Sequence, residues 1–228
     1  MKSILEIAHR GHSYKDNSLN AFFYAIKEKF DMIELDIQIT KDNQIVVFHD
    51  TYISKTGKSS RTNLSSTDHD FIIDLTLEEI KDIDSKIISL NEFFENIDPK
   101  DNLIYLDIKG SKKIVPFLLS LLEKYDTTNI YIGAFNILMI EALSKIRPDL
   151  NYGIISETMF TYDIIDLITS KYNIKFFCFH WSVLQHDEIN YLKNKDILVF
   201  SYTNKFDIIL KRMMEFNIDG IVSNFKIT

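Results

Sequence analysis

Met32-Ile33-Glu34-Leu35-Asp36-Ile37 reads as a buried strand with two carboxylates set into it. At the period-two spacing of a strand, Ile33, Leu35 and Ile37 share one face, and Glu34 and Asp36 project together from the other. An unpaired carboxylate is costly in such surroundings, so the pair reads as functional rather than as a solvated edge. Runs of the same kind recur at residues 5–8, 103–108, 130–133, 152–155, 175–179, 197–201 and 220–223. Most are rich in Ile, Val, Phe and Tyr and apolar on both faces, as parallel strands covered on both sides are.

Helical periodicity fills the gaps, at 20–28, 112–124, 137–145, 162–171, 187–193 and 207–216. Pro116 falls in the first turn of its helix, where a missing N–H costs little. One further apolar run, 45–48, follows Ile37 too closely for a parallel crossover. It reads as the return arm of a hairpin, with Lys41-Asp42-Asn43 as the turn and Asn43 tolerating positive φ. Setting that arm aside leaves eight parallel strands, the count of a (β/α)₈ TIM barrel with a hairpin extension after its second strand and no final helix. A doubly wound sheet is the alternative. The chain reads as one domain over 1–228, with a rim insertion over 51–74 whose Ser/Thr/Lys-rich centre runs from Ser54 to Asp70.

A length of 228 residues and 46% hydrophobic content suit a single globular core. A net charge of −7 argues against a nucleic-acid partner, which needs clustered Lys and Arg. Cys178 stands alone, so no internal disulfide is expected and a reducing compartment fits. Glu6 interrupts the N-terminal apolar run, and no signal peptide is legible. The longest apolar stretch, 114–122, is too short for a transmembrane segment. The expectation is a cytoplasmic protein; its oligomeric state is left open.

In a barrel, reactive groups gather where strands end. His9 and Arg10 follow the first strand, Glu34 and Asp36 lie on the second, and Asp107 and Lys109 repeat their spacing on the third. Three carboxylates with no cysteine nearby make an oxygen-rich site for Mg²⁺ or Ca²⁺. Arg10 offers a planar fork for phosphate oxygens and Lys109 a point charge, unless Lys109 merely pairs with Asp107 as a structural ion pair. His9 and His49 titrate near neutral pH and can trade a proton, with Asp50 placed to orient His49. Together these groups are what cleaving a phosphodiester requires. His12, in the loop after Gly11, reads as facing solvent rather than substrate, His69 as part of the insertion, His186 as preceding a helix, Cys178 as a small buried hydrophobe, and His180-Trp181 as a rim pair evenly balanced between substrate contact and none.

The pattern resembles the glycerophosphodiester phosphodiesterase family. That family carries His-Arg-Gly, Glu-Asn-Thr, Glu-x-Asp, Thr-Lys-Asp-Gly, Val-Val-x-His-Asp and Glu-Ile-Lys, and ends with an aromatic-Thr strand and Asp-Gly-Ile-Ile. Here His9-Arg10-Gly11, Glu34-Leu35-Asp36, Thr40-Lys41-Asp42 and Val46-Val47-Phe48-His49-Asp50 match directly. Residues 73–79 resemble the segment beyond the insertion, and Tyr202-Thr203 and Asp219-Gly220-Ile221-Val222 match the end. The likeness spans nearly the whole chain, is most specific in its N-terminal half, and thins from Thr127 to Asn194.

The resemblance implies a (β/α)₈ fold and hydrolysis of a small glycerophosphodiester to an alcohol and glycerol 3-phosphate. By position, His9 and His49 resemble the acid/base pair, and Glu34, Asp36 and Asp107 the divalent-metal ligands. Arg10 and Lys109 resemble the phosphate contacts, and Tyr202 the aromatic that lines the substrate. Asp16-Asn17-Ser18 replaces Glu-Asn-Thr, Asp107 replaces the usual Glu, and Ala134-Phe135 stands where Ser-Phe is common. Two other functions compete: a lysophospholipase D or sphingomyelinase D type reaction on lipids, and an inactive barrel that binds a phosphorylated ligand.

Overall fold

The computed structural model describes residues 4–12, 16–54 and 69–227. Strand β1 (Leu5–Ala8) is followed by helix α1 (Leu19–Lys27), strand β2 (Met32–Ile39) and a return arm β3 (Ile45–Val47). An antiparallel ribbon of β4 (Tyr52–Ser54) and β5 (His69–Phe71) precedes α2 (Leu77–Ile83) and α3 (Leu90–Asn96). Strand and helix then alternate through β6 (Leu103–Ile108), α4 (Ile114–Leu122), β7 (Ile130–Ala134), α5 (Ile137–Ser144), β8 (Asn151–Ser156) and α6 (Tyr162–Lys171). The chain closes with β9 (Ile174–His180), α7 (His186–Lys193), β10 (Leu198–Asn204), α8 (Asp207–Met213) and β11 (Gly220–Ser223).

β1 pairs in parallel with both β11 and β2, so the sheet closes on itself and the doubly wound alternative falls. Around the barrel the order is β1, β11, β10, β9, β8, β7, β6, β2, with β3 added antiparallel beyond β2. The turn into β3 holds Asn43 at φ 65°, as its residue type allows. Of the expected rim insertion, the two flanks form the β4–β5 ribbon, while its centre at 55–68 lies outside the described residues.

Two helices escape the periodicity reading. α2 and α3 have seven residues each and are started by capping boxes, Thr76 with Glu79 and Ser89 with Glu92. Several strands also run past their expected ends. β2 reaches Ile39, β9 reaches His180 and β10 reaches Asn204, which carries Tyr202 inside a strand.

Register sets the layers inside the barrel. Asp36 pairs with Asp107 and Glu34 with Tyr105, so the two aspartates share a layer one step above Glu34. Beneath them Ile7, Met32, Tyr105, Phe176, Phe200 and Val222 fill the floor. Each such side chain contributes ~1.5–3 kcal/mol by leaving water. Gly153 of β8 is needed here, because a Cβ on it would stand 2.3 Å from Cζ of Phe176. A larger apolar cluster lies outside the staves, between sheet and helices. The interior is therefore a closed plug with a polar top.

Candidate active site

The first turn after β1 starts the site. His9-Arg10-Gly11 forms one 3-10 turn in which Arg10 takes φ 54° and Gly11 φ 78°. Gly11 also presses on α1: a Cβ there would sit 2.5 Å from Phe22 Cδ1 and 2.8 Å from the Phe22 nitrogen. Only glycine tolerates both demands. The turn aims the Arg10 backbone N–H at Glu34 Oε2, to which it donates at 2.8 Å, and brings Arg10 Nε within 3.1 Å of Asp36 Oδ2.

Glu34, Asp36 and Asp107 each present an oxygen within 4.8 Å of the others, and all three are buried. Lys109 Nζ bridges two of them, 2.5 Å from Asp107 Oδ2 and 3.3 Å from Asp36 Oδ1. Asn17 locks Asp36 from behind: its Nδ2 donates to Asp36 Oδ2 at 2.9 Å and its Oδ1 accepts from the Asp36 N–H at 3.2 Å. Asp107 Oδ1 is buried with no hydrogen-bond partner among the described residues. An oxygen-only set with an unclaimed buried oxygen fits a hard divalent cation.

The three carboxyls are not alike. Burial, then Asp36 and Asp107 beside it, raises Glu34 well above the usual range. Burial, added to by Asp36 and opposed by Lys109, pushes Asp107 up to about 6. Burial also works on Asp36, but Lys109, Arg10, His49 and Asn17 together outweigh it and hold Asp36 below the usual range. Lys109 gains more from Asp107 and Asp36 than it loses by burial, and stays firmly protonated. One carboxylate carries the charge while its neighbours resist ionising without a counter-ion.

The two histidines stand on different supports. His9 Nδ1 lies 2.5 Å from Asn224 Oδ1, just past β11, and burial with Arg10 nearby lowers its pKa to about 4. His49 follows β3, and its Nδ1 lies 2.7 Å from Asp50 Oδ1. Both rings, Arg10, the carboxylates, Lys109 and Tyr202 line one cavity of about 280 Å³ at the C-terminal end of the barrel. The sequence-selected residues thus converge, with Asp50 reaching the cavity through His49.

The cavity also collects residues that sequence reasoning passed over: Phe135, Glu157, Thr203 and Lys205. Asn17 and Asn224 act from behind the wall. Glu157 and Asn224 each lie one residue past their strands, and Lys205 one past β10, so the strand-end rule was the available signal. His180 ends β9 with its ring 5.5 Å from that of Tyr202, and Trp181 sits beside it. His12, expected in solvent, instead packs between the rings of Tyr24 and Phe30 at 5.5 and 5.2 Å. Cys178 is fully buried on the floor.

Comparison with known proteins agrees with this geometry. Residues 9–228 match the glycerophosphoryl diester phosphodiesterase family. A glycerophosphodiester phosphodiesterase of Caldanaerobacter subterraneus is 28% identical over 243 residues, covering 98% of this chain and 95% of that protein. The crystal structure of a glycerophosphodiester phosphodiesterase from Thermotoga maritima superposes with a TM-score of 0.81 at 24% identity, covering 98% and 96% of the two chains. A phosphodiesterase from Oleispira antarctica, solved with the product sn-glycerol-3-phosphate, gives 0.80 at 18% identity over 96% and 92%. The chain belongs to the glycerophosphoryl diester phosphodiesterase family of enzymes.

Proposed function

We propose that the protein hydrolyses glycerophosphodiesters to an alcohol and sn-glycerol 3-phosphate. The observation that carries this is the convergence of three buried carboxylates, two cations and two differently supported imidazoles on one cavity. The product held by the Oleispira phosphodiesterase of the same fold supports it. Glu34, Asp36 and Asp107 would hold Mg²⁺ or Ca²⁺, their buried unclaimed oxygen being the feature that calls for one. When bound, such an ion neutralises phosphoryl charge and polarises an oxygen.

The chain's own residues supply the rest. Arg10 and Lys109 grip the phosphate, Arg10 through a guanidinium fixed by Asp36. With the Asn224 amide oxygen facing the ring, His9 carries its proton on Nδ1 and leaves Nε2 free to accept one. His9 therefore takes the proton of the attacking oxygen, which is a water or the neighbouring glycerol hydroxyl; in the second case the cyclic phosphodiester that forms is opened by a water, with the two histidines exchanging roles. Asp50 accepts from His49 Nδ1 and orients the ring, so His49 protonates the departing alcohol as the old P–O bond breaks. Tyr202 lines the substrate. The complete set of proton-transfer groups supports turnover over inert binding.

No helix among the described residues is long and apolar enough to cross a membrane. The lone buried thiol, Cys178, supports a reducing, cytoplasmic setting. The test is to incubate the protein with a panel of glycerophosphodiesters in Mg²⁺ or Ca²⁺. Glycerol 3-phosphate should be released, and a chelator should stop it. No release from any diester, or a rate indifferent to chelator, would overturn the reading.

A further inference from the structure

One part of the cavity has no task in the reaction above. Glu157 lines it from the end of β8, which stands four staves from β1 and so faces His9 and Arg10 across the mouth. Its carboxylate makes no ion pair among the described residues. Its field nonetheless reaches the Tyr202 hydroxyl. Among the described lining residues it is the one acid outside the Glu34, Asp36 and Asp107 triad.

Phe135 and Tyr202 line the cavity with it. Phe135, from the end of β7, meets Tyr202 of β10 edge to face, with centroids 6.0 Å apart. His180, at the end of β9, packs against the far side of the group, 5.5 Å from Tyr202. Lys109 Nζ lies 5.2 Å from the Phe135 centroid, so one face of this ring already carries a cation from the phosphate side. The Tyr202 hydroxyl is buried without a partner among the described residues. Lys205, the basic group on this side, bears on His9 and so belongs with the phosphate.

We infer that Glu157, Phe135 and Tyr202 form a subsite for a cationic headgroup, and that the preferred substrates are diesters of the choline or ethanolamine type. An ammonium group takes up a carboxylate and aromatic faces together, the pairing that a neutral or anionic headgroup cannot use. Phosphate held on the β1–β2–β6 side places the headgroup across the mouth, against β7–β10. This rests on the phosphodiesterase reading, and it adds the substrate class.

The experiment measures kcat/KM for glycerophosphocholine against glycerophosphoglycerol. Wild type should favour the cationic diester by about tenfold, and Glu157→Gln should erase most of that ratio through KM. Phe135→Leu should reduce it severalfold. A wild type that favours the neutral diester, or a ratio that Glu157→Gln leaves unaltered, overturns the subsite. Calorimetric binding of the same two diesters separates this from failure of the phosphodiesterase reading. If no diester is cleaved, a binding preference for glycerophosphocholine that Glu157→Gln removes still supports the subsite, and equal or absent binding overturns it.

Discussion

The staves β1, β2 and β6 and the staves β7 to β10 face the same cavity with opposite chemistry. The first group carries His9, Arg10, Glu34, Asp36, Asp107 and, past β6, Lys109: its three carboxylates are buried, and the half-buried Arg10 and Lys109 pair with them. The second carries Phe135, His180 and Tyr202, whose rings contact one another, and the exposed Glu157, with no ion pair among the described residues. Buried charges in a dry setting are strong and rigid, as reacting centres need. Aromatic rings around one solvated carboxylate are permissive, which suits choosing among headgroups. The fold thus separates bond-breaking from selection by stave.

The sharpest way to break this division is to remove its proton-transfer groups. His9→Ala and His49→Ala should each lower kcat by roughly 10²–10⁴-fold with the fold retained, as steady-state kinetics and circular dichroism will report. Next in size is stability. Asp36→Asn strips Lys109 and Arg10 of their buried counter-charge and should cost about 3–5 kcal/mol in urea unfolding. On the other side, Tyr202→Phe deletes a hydroxyl without a partner and should shift stability by less than ~1 kcal/mol. Equal costs for the two would erase the contrast.

Acidity gives a third test. Asp107 is pushed up to about 6 by burial, with Glu34 raised beside it. Below that value Asp107 holds a proton that an incoming cation must displace, and the raised Glu34 adds to the competition. Mg²⁺ or Ca²⁺ affinity should therefore weaken as the pH drops through about 6, measured by calorimetry across pH. The ion-free chain behaves oppositely. A raised carboxyl favours the folded state in acid, and that contribution is lost as the pH rises through about 6. The smallest effect is expected from Asp107→Glu, which lengthens one arm by a methylene and should change ion affinity by less than about tenfold.

The same division explains what the sequence disclosed. Each reactive residue of the first group sits in a short motif on or beside an apolar run, so His9-Arg10-Gly11 and Glu34-Leu35-Asp36 read directly as strand-end chemistry. Tyr202 was legible only through its resemblance to the family. Glu157 and Lys205 are solitary charges one residue past strands whose ends were placed short, at 155 and 201 rather than Ser156 and Asn204. Asn17 acts through hydrogen bonds across 19 positions of chain, which no local pattern encodes, and Asn224 stands one past β11 but meets its partner His9 across 215. α2 and α3 lie between the return arm β3 and β6, outside the strand–helix alternation that flags the other helices, and their capping boxes are what announce them.

The claim beneath all of this is that Glu34, Asp36 and Asp107 form one cation site. Titrating Mg²⁺ or Ca²⁺ into chelator-stripped protein, followed by calorimetry, addresses it most directly. Wild type should bind one ion per chain, and Glu34→Gln should bind none at the same concentrations. Equal binding by the two proteins would contradict the account.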